Sequence, residues 1–185
     1  MFLEDKPIGT QTFRVTEEGA RSRVSSEASF DVNILFFTAY TYRHRNEEVW
    51  EKGCLTRLDS TTDDNGTPFR VKAEAQDAGF VVETEQARTT LPACVRSFPY
   101  WNPDYLQARR LLNPQTGEYE EVTVRSLGDD TLEVRGTMRP VRRYVIEGPK
   151  LRIDLWYSPE NDWLALESAS KGGRKLRYVR TDANS

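Results

Sequence analysis

The chain has 185 residues, of which 37% are hydrophobic and 30% are charged, and its formal net charge is -3 with a pI of about 5.4. Its length suits one domain spanning residues 1–185, and the mean hydropathy of -0.69, with no apolar run near about 18 residues, argues against a membrane-spanning protein. The acidic balance argues against a general nucleic-acid binder, since such proteins carry a basic surface.

Turn signals recur along the first half of the chain at the spacing that is typical of β-barrels and sandwiches. The strongest is Asn65-Gly66, because both central residues of a type I′ hairpin turn need positive φ. The pattern predicts strands over 10–16, 21–35, 40–50, 54–63, 69–75 and 80–85.

The second half continues in the same style. Strands are predicted over 121–127, 131–139, 141–147, 150–157, 163–169 and 176–181, with breaks at Gly128-Asp129-Asp130 and at Pro140. The segment 150–157 alternates cleanly, so Leu151, Ile153 and Leu155 face one way and Arg152, Asp154 and Trp156 face the other.

One helix is predicted over 103–112. Asn102 is a good N-cap and Pro103 suits the first helical position. Asn113 and Pro114 would end it. The sequence therefore predicts an all-β antiparallel barrel or half-barrel with one short helix at or inside its open end.

Basic residues cluster at 43–45, 139–143 and 174–177. Strand alternation favours placing them on a solvated face, and an anion-binding patch is the alternative.

Cys54 and Cys94 are the only cysteines, 40 residues apart in the sequence. They predict either one disulfide, as in an exported protein, or two buried thiols. The first residues are already charged and show no signal peptide. The expected location is therefore periplasmic or secreted if an export signal was removed, and cytoplasmic otherwise.

His44 is the only histidine, so any Ser-His-Asp or Cys-His mechanism must use it. No nucleophile-elbow pattern accompanies it, and a structural histidine is the favoured interpretation. Asp63, Asp64 and Asn65 are oxygen ligands that calcium accepts, but they read better as a hairpin turn. The sequence predicts no metal site, no cofactor and no catalytic residue.

Aromatic residues are numerous, and they give either ordinary core packing or the lining of an apolar cavity. Trp156 shares a strand face with charged residues, which suits the mouth of a pocket. The predicted ligand-binding residues are Trp50, Phe98, Tyr100, Trp101, Trp156 and Tyr157.

Several short motifs together resemble an uncharacterised bacterial family of unknown function. They are Gly53-Cys54-Leu55, Thr62 to Gly66, Tyr100 to Pro103, Leu111 to Glu118 and Leu155 to Tyr157. The chain is also loosely similar to exported bacterial β-proteins in which a curved sheet wraps over a helix, such as periplasmic lipoprotein carriers. That resemblance implies an exported protein with a lipid-sized apolar groove and no catalytic residues.

Three functions follow from these observations. The first is a non-enzymatic binding protein of the bacterial cell envelope whose partner is a lipophilic or amphipathic small molecule. The second is a small hydrolase-like enzyme that uses His44 with Cys94 or a nearby carboxylate. The third is a purely structural envelope protein whose aromatic residues all lie in the core.

Overall fold

The computed structural model describes residues 1–34, 37–134, 136–169 and 173–181, and its regular structure is almost entirely antiparallel β. The predicted all-β antiparallel fold with one short helix is confirmed. The expected end of the second strand at Leu35 lies outside the described residues. The strands are β1 Phe2–Leu3, β2 Lys6–Pro7, β3 Gly9–Glu18, β4 Arg21–Ile34, β5 Phe37–Glu51, β6 Cys54–Asp64, β7 Thr67–Gln76, β8 Gly79–Thr84, β9 Arg88–Leu91, β10 Arg110–Leu112, β11 Tyr119–Glu121, β12 Thr123–Val134, β13 Thr137–Glu147, β14 Arg152–Tyr157, β15 Trp163–Ala169 and β16 Lys175–Val179.

The chain divides into two compact units. The N-terminal unit consists of Ile8–Phe98 and Arg110–Glu120, and its seven-stranded sheet follows sequence order from β3 to β9. The C-terminal unit consists of Met1–Pro7, Pro99–Arg109 and Glu121–Ser185, and its seven-stranded sheet has the order β12-β13-β14-β15-β16-β1-β2. Strands β10 and β11 form a small two-stranded sheet.

The turn between β6 and β7 has the backbone that its sequence predicts. Asn65 and Gly66 have φ angles of 55° and 85°, which a type I′ turn requires. The Gly66 amide donates to Oδ1 of Asp63 at 2.6 Å, and the Asn65 side-chain oxygen accepts from the Thr41 amide at 3.2 Å. These contacts assign Asp63 and Asn65 to the turn.

The N-terminal sheet has one buried and one exposed face, because successive side chains of a strand point to opposite sides. The buried face carries apolar side chains such as Val24, Leu58 and Val71, which are 5%, 1% and 1% exposed. Residues 110–120 lie over it. Gly117 approaches Thr84 and Val82 so closely that an added Cβ would stand 2.6 Å from the Thr84 methyl carbon.

The C-terminal sheet buries side chains on both faces of β14. Leu155 and Tyr157 are 0% and 1% exposed on one face, and Trp156 is 6% exposed on the other. Trp156 lies in an apolar cluster with Leu132, Val134, Val141 and Ala165. The predicted alternation of this strand therefore holds, but both of its faces contribute to a core.

Two predicted breaks in the C-terminal unit are wrong. Gly128-Asp129-Asp130 is not a turn: β12 runs through it, with a register shift between Ser126 and Gly128 that takes up one extra residue. Pro140 lies inside β13, opposite Thr131. The pairing of β13 with β14 starts only at Arg142, so the missing Pro140 amide hydrogen interrupts no ladder on that side.

The predicted helix over 103–112 is too long. A 3₁₀ helix covers Pro103–Gln107, capped by the Asn102 side chain, which accepts from the Asp104 amide at 3.0 Å. Ala108 is already extended, and Arg110–Leu112 is strand β10. The Leu112 amide donates to the Arg96 carbonyl at 2.8 Å, so tertiary hydrogen bonds replace the helical ones that the local sequence favours.

Candidate functional site

The buried face of the N-terminal sheet holds an unusual row of polar side chains along β5. Glu48 is 5% exposed and accepts three hydrogen bonds: from Asn46 Nδ2 at 2.8 Å, from Trp50 Nε1 at 2.8 Å and from the Ser97 hydroxyl at 2.7 Å. Burial raises the pKa of Glu48, and the three donors partly oppose that rise because they favour the carboxylate. The hydrogen bond from the Trp50 indole to Glu48 fixes Trp50 in the core.

His44 lies on the same strand face as Asn46 and Glu48. Its Nδ1 is 2.8 Å from the Thr62 hydroxyl, and burial lowers its pKa to about 4. The imidazole is therefore neutral at physiological pH. The carboxylate of Asp64, two residues from Thr62, is bound by the Tyr40 hydroxyl.

Cys94 cannot serve as a nucleophile beside His44, because Cys54 and Cys94 form a disulfide with an S–S distance of 2.04 Å. The Cys-His form of the predicted hydrolase is thus wrong for the oxidised protein, since thiol chemistry needs a free thiolate. Hydrogen bonds on either side of the disulfide also join the segment around Cys54 to the segment around Cys94. The Leu55 amide donates to the Val95 carbonyl at 2.9 Å, and Arg96 Nε donates to the Gly53 carbonyl at 3.1 Å.

Two of the predicted ligand-binding aromatics, Tyr100 and Tyr157, meet in the C-terminal unit. The Tyr157 hydroxyl donates to the Tyr100 carbonyl at 3.0 Å, and the Tyr100 ring stacks on Trp163 at a centroid distance of 5.8 Å. Tyr105 adds an edge contact to Tyr100 at 6.1 Å. Burial raises the pKa of both Tyr105 and Tyr157, so these phenols stay protonated. The cluster has the contacts of a packed core.

Trp156 is 6% exposed and its ring lies beneath an arginine side chain. Arg143 covers its ring, with the guanidinium carbon 5.1 Å from the ring centroid, and Arg143 also binds Asp154 at 2.8 Å. The indole Nε1 donates to Asp130 at 3.4 Å. The shared face with charged residues that the sequence indicates is real, and the charges cap a small core. Of the other predicted aromatics, Phe98 and Trp101 are half-buried, in the N-terminal and C-terminal units respectively.

An open cleft of about 490 Å³ lies on the exposed face of the N-terminal sheet, and none of the ligand-binding residues predicted from the sequence lines it. The register of strands β3 to β6 brings its lining residues together. It is lined by Arg14, Thr16, Arg23, Val24, Ser25, Arg45, Glu47, Glu48, Val49, Arg57, Asp59 and Thr61. We call it the arginine cleft. The signal available in the sequence is the spacing of its residues by two along each strand, but the residues that pair across the strands, such as Arg23 with Val49, cannot be read from one sequence.

A second cleft, of about 360 Å³, continues along the same face. Its cations are already neutralised: Arg43 binds Asp31 at 2.8 Å, and Arg45 binds Glu27 at 3.0 Å. The prediction that strand alternation exposes the basic cluster 43–45 agrees with this face, since Arg43 and Arg45 are exposed and His44 points the other way. The arginine cleft is the stronger candidate site, because two of its guanidiniums have no such partner in the described chain.

The described residues contain no group of three or more His, Cys, Asp or Glu side chains placed to hold a metal ion. Among the helices of the described part of the chain, none has the length and apolar character that crossing a membrane requires.

The profile of a family described as a domain of unknown function, DUF6134, matches residues 1–181. The chain therefore belongs to the DUF6134 family. This confirms the expectation of an uncharacterised family, whose motifs and wider relatives stay a prediction.

A solved structure has a similar fold. It is the crystal structure of a beta-barrel-like protein of the domain of unknown function DUF1849 from Brucella abortus, with a TM-score of 0.63 at 12% identity. The similarity covers 91% of this chain and 84% of that chain. At this identity the likeness concerns the fold alone. No curated protein matches the sequence.

Proposed function

We propose that this DUF6134 protein is a non-enzymatic binding protein for an amphipathic ligand in the bacterial cell envelope. The observation that carries the proposal is the arginine cleft, which combines guanidiniums with an apolar floor at Val49. Long arginine side chains present apolar stems below charged ends, so such a cleft offers contacts to both parts of an amphiphile.

The chemistry of the described residues supports binding over catalysis. The single histidine is bonded to a threonine, and both cysteines are joined. Glu48, the buried carboxylate of β5, is occupied by three donors within the core. None of these groups has the arrangement of nucleophile, base and orienting partner that nucleophilic catalysis uses.

The disulfide supports the envelope as the location, because such bonds persist in oxidising compartments and are rare in the cytosol. The envelope location is tested by treating intact host cells with a maleimide, before any reductant is added, and then measuring how many cysteines of this protein are labelled. We expect neither cysteine to react in the native host. Two labelled cysteines would contradict an envelope location.

Native mass spectrometry of protein purified from its host, followed by organic extraction, tests the binding function. We expect a bound mass that extraction removes, and an extract that contains an amphiphile. The Arg14→Gln/Arg57→Gln double variant, purified in parallel, should carry much less of it. A bare mass from the host, together with no binding of added short-chain lipids, would overturn the proposed function.

A further inference from the structure

The arginine cleft has a definite arrangement of charges around its apolar floor. Val49 in β5 is half-buried and lies directly between Arg23 in β4 and Arg57 in β6. Neighbouring strands are about 4.8 Å apart, so the two arginine Cα atoms are separated by about 10 Å across Val49. Two long side chains at this separation can direct their guanidiniums to one group bound above the valine.

The sheet is irregular at this position. The register of β5 and β6 shifts between Val49 and Trp50, directly beside the cleft floor. Bulges of this kind change the direction of nearby side chains and are frequent beside binding sites. The shift also separates Val49, on the exposed face of the sheet, from Trp50, whose indole is held in the core by Glu48.

The cations of the cleft differ in their partners. Arg23 Nε binds Glu18 at 2.9 Å, and Arg45 binds Glu27 at 3.0 Å. Within the described chain, Arg14 and Arg57 form no ion pair. Glu74 lies opposite Arg57 on β7, but the two side chains are not within ion-pair distance. Two uncompensated guanidiniums therefore face the cleft of a chain whose net charge is -3.

Two carboxylates on the exposed face limit what the cleft accepts. Asp59 is 3.9 Å from Arg70, and Glu47 lies between Ser25 and Asp59 in the next row of the sheet. Glu47 has no ion pair in the described residues and opposes an anion bound nearby. In the row of Arg23, Val49 and Arg57, Arg57 is the cation without an ion pair in the described residues, and Glu47 lies one row away.

We infer that the polar group of the ligand is an oxyanion, a phosphate or carboxylate, held above Val49 by Arg57 and Arg23 with Arg14 beside them. This inference rests on the proposed function and names its ligand class. Guanidinium presents paired N–H donors that match such oxyanions in geometry as well as charge. The valine and the arginine stems contact the apolar part of the same molecule.

Isothermal titration calorimetry with three probes tests the inference: short-chain phosphatidic acid below its critical micelle concentration, short-chain phosphatidylcholine as the zwitterionic counterpart, and inorganic phosphate. We expect the phosphatidic acid to bind more tightly than either of the others. Arg57→Gln should weaken its binding by about tenfold or more, since a charge-assisted bidentate contact is lost. Glu47→Gln should strengthen it by removing a repelling carboxylate.

Arg88→Gln is the matched control, because it removes the same charge from β9, outside the cleft, where Arg88 pairs with Glu83 at 3.2 Å. Its binding should equal that of the wild type. Circular dichroism checks that each variant is folded, which the exposure of these side chains favours.

The outcomes separate the two proposals. Equal binding of phosphatidic acid and phosphatidylcholine, insensitive to Arg57→Gln, would overturn the oxyanion inference and keep the binding function. Inorganic phosphate binding as tightly as phosphatidic acid, with the same loss in Arg57→Gln, would keep the oxyanion site and overturn the amphipathic ligand. No binding of any probe would overturn both.

Discussion

Single residues of β5 divide between two environments according to their parity. Arg43, Arg45 and Glu47 are exposed, whereas Asn46 and Glu48 are 7% and 5% exposed on the other face. A charged side chain on a buried face is costly unless it is hydrogen-bonded. Glu48 meets that requirement through its three donors. Its pKa therefore depends on how completely the core around it is buried and hydrogen-bonded.

The pH dependence of stability should reveal Glu48. Burial raises its pKa above the ordinary 4.5, so the folded protein holds this proton more tightly than the unfolded chain does. The associated stability is fully present below about pH 4.5 and is lost as pH rises through the folded-state pKa. We expect Glu48→Gln, which cannot titrate, to lack this decline in its free energy of unfolding.

Urea unfolding of both proteins between about pH 4 and pH 8 measures the difference. Other titrating groups act in both proteins and cancel when one curve is subtracted from the other. Parallel curves over the whole range would show that the Glu48 pKa is not raised.

His44 makes the opposite prediction. Burial lowers its pKa from 6.5 to about 4, so its contribution to stability is present above about pH 6.5 and is lost as pH falls through about 4. Because the chain has one histidine, its ring resonances in an NMR titration are unambiguous. We expect a midpoint near 4, and a midpoint near 6.5 would indicate a solvated imidazole.

The elements of the N-terminal unit are stabilised by the segment that lies on the buried face of their sheet. That segment is residues 110–120. Its Pro114 carbonyl accepts a hydrogen bond from the Ser60 hydroxyl, and its Gln115 side chain accepts one from the Tyr42 hydroxyl at 3.0 Å. Gly117 completes this contact, with φ of 75° and no room for a side chain. The segment thus replaces solvent over strands whose side chains are partly polar.

Gly117→Ala tests the fit of that segment. A Cβ there would stand 2.6 Å from Thr84 and 3.4 Å from Val82, and the positive φ adds backbone strain. Gly19→Ala is the control, since Gly19 has φ of 64° with nothing within 4 Å. We expect Gly117→Ala to lose about 1–3 kcal/mol more unfolding free energy than Gly19→Ala, because it adds overpacking to the strain. Equal losses in urea unfolding would show that the segment yields without cost.

At this scale the sequence predicted hairpins well and tertiary exceptions poorly. Asn65-Gly66 marks its turn because the backbone angles it needs are local. Pro140 and Gly128 look like strand breaks in the sequence. Pro140 is tolerated because β14 does not pair with β13 at that position, and Gly128 is accommodated by a β-bulge. Leu111 and Leu112 fall within the predicted helix over 103–112, yet both are fully buried as part of a strand. Each of these outcomes depends on how the residue's strand pairs with its neighbours, which the local sequence does not specify.

At the scale of the whole molecule, the described residues form two sheets of seven strands, each within its own compact unit, besides the two-stranded sheet of β10 and β11. The regular turn signals and the alternation of the sequence predicted an all-β chain, and the single domain over 1–185 stays a prediction. The arginine cleft could not be predicted, since its residues come from four strands that are assembled by register. The aromatic residues were recognised as a group, but only burial distinguishes packing from ligand contact, and Trp156 and Tyr157 are 6% and 1% exposed.

Both cysteines of the chain, Cys54 and Cys94, are joined in one disulfide bond. It links residues separated by 40 positions, so it restricts the unfolded chain over four strands. We expect a reductant to lower the free energy of unfolding by about 2–4 kcal/mol. Cys54→Ser should have the same free energy of unfolding as the reduced wild type, and adding reductant should not change it. A response of the variant to reductant would mean that the shift has another source.

The hydrogen bonds of the Asn65-Gly66 turn also govern how the protein ages. Asparagine before glycine loses ammonia when the glycine nitrogen attacks the side-chain carbonyl carbon to form a succinimide. Here that nitrogen is bound to Asp63, and the Asn65 side-chain oxygen is bound to the Thr41 amide. Both reacting groups are held until the hairpin opens. The rate at which Asn65 itself is deamidated during storage therefore reports on local opening of β6 and β7.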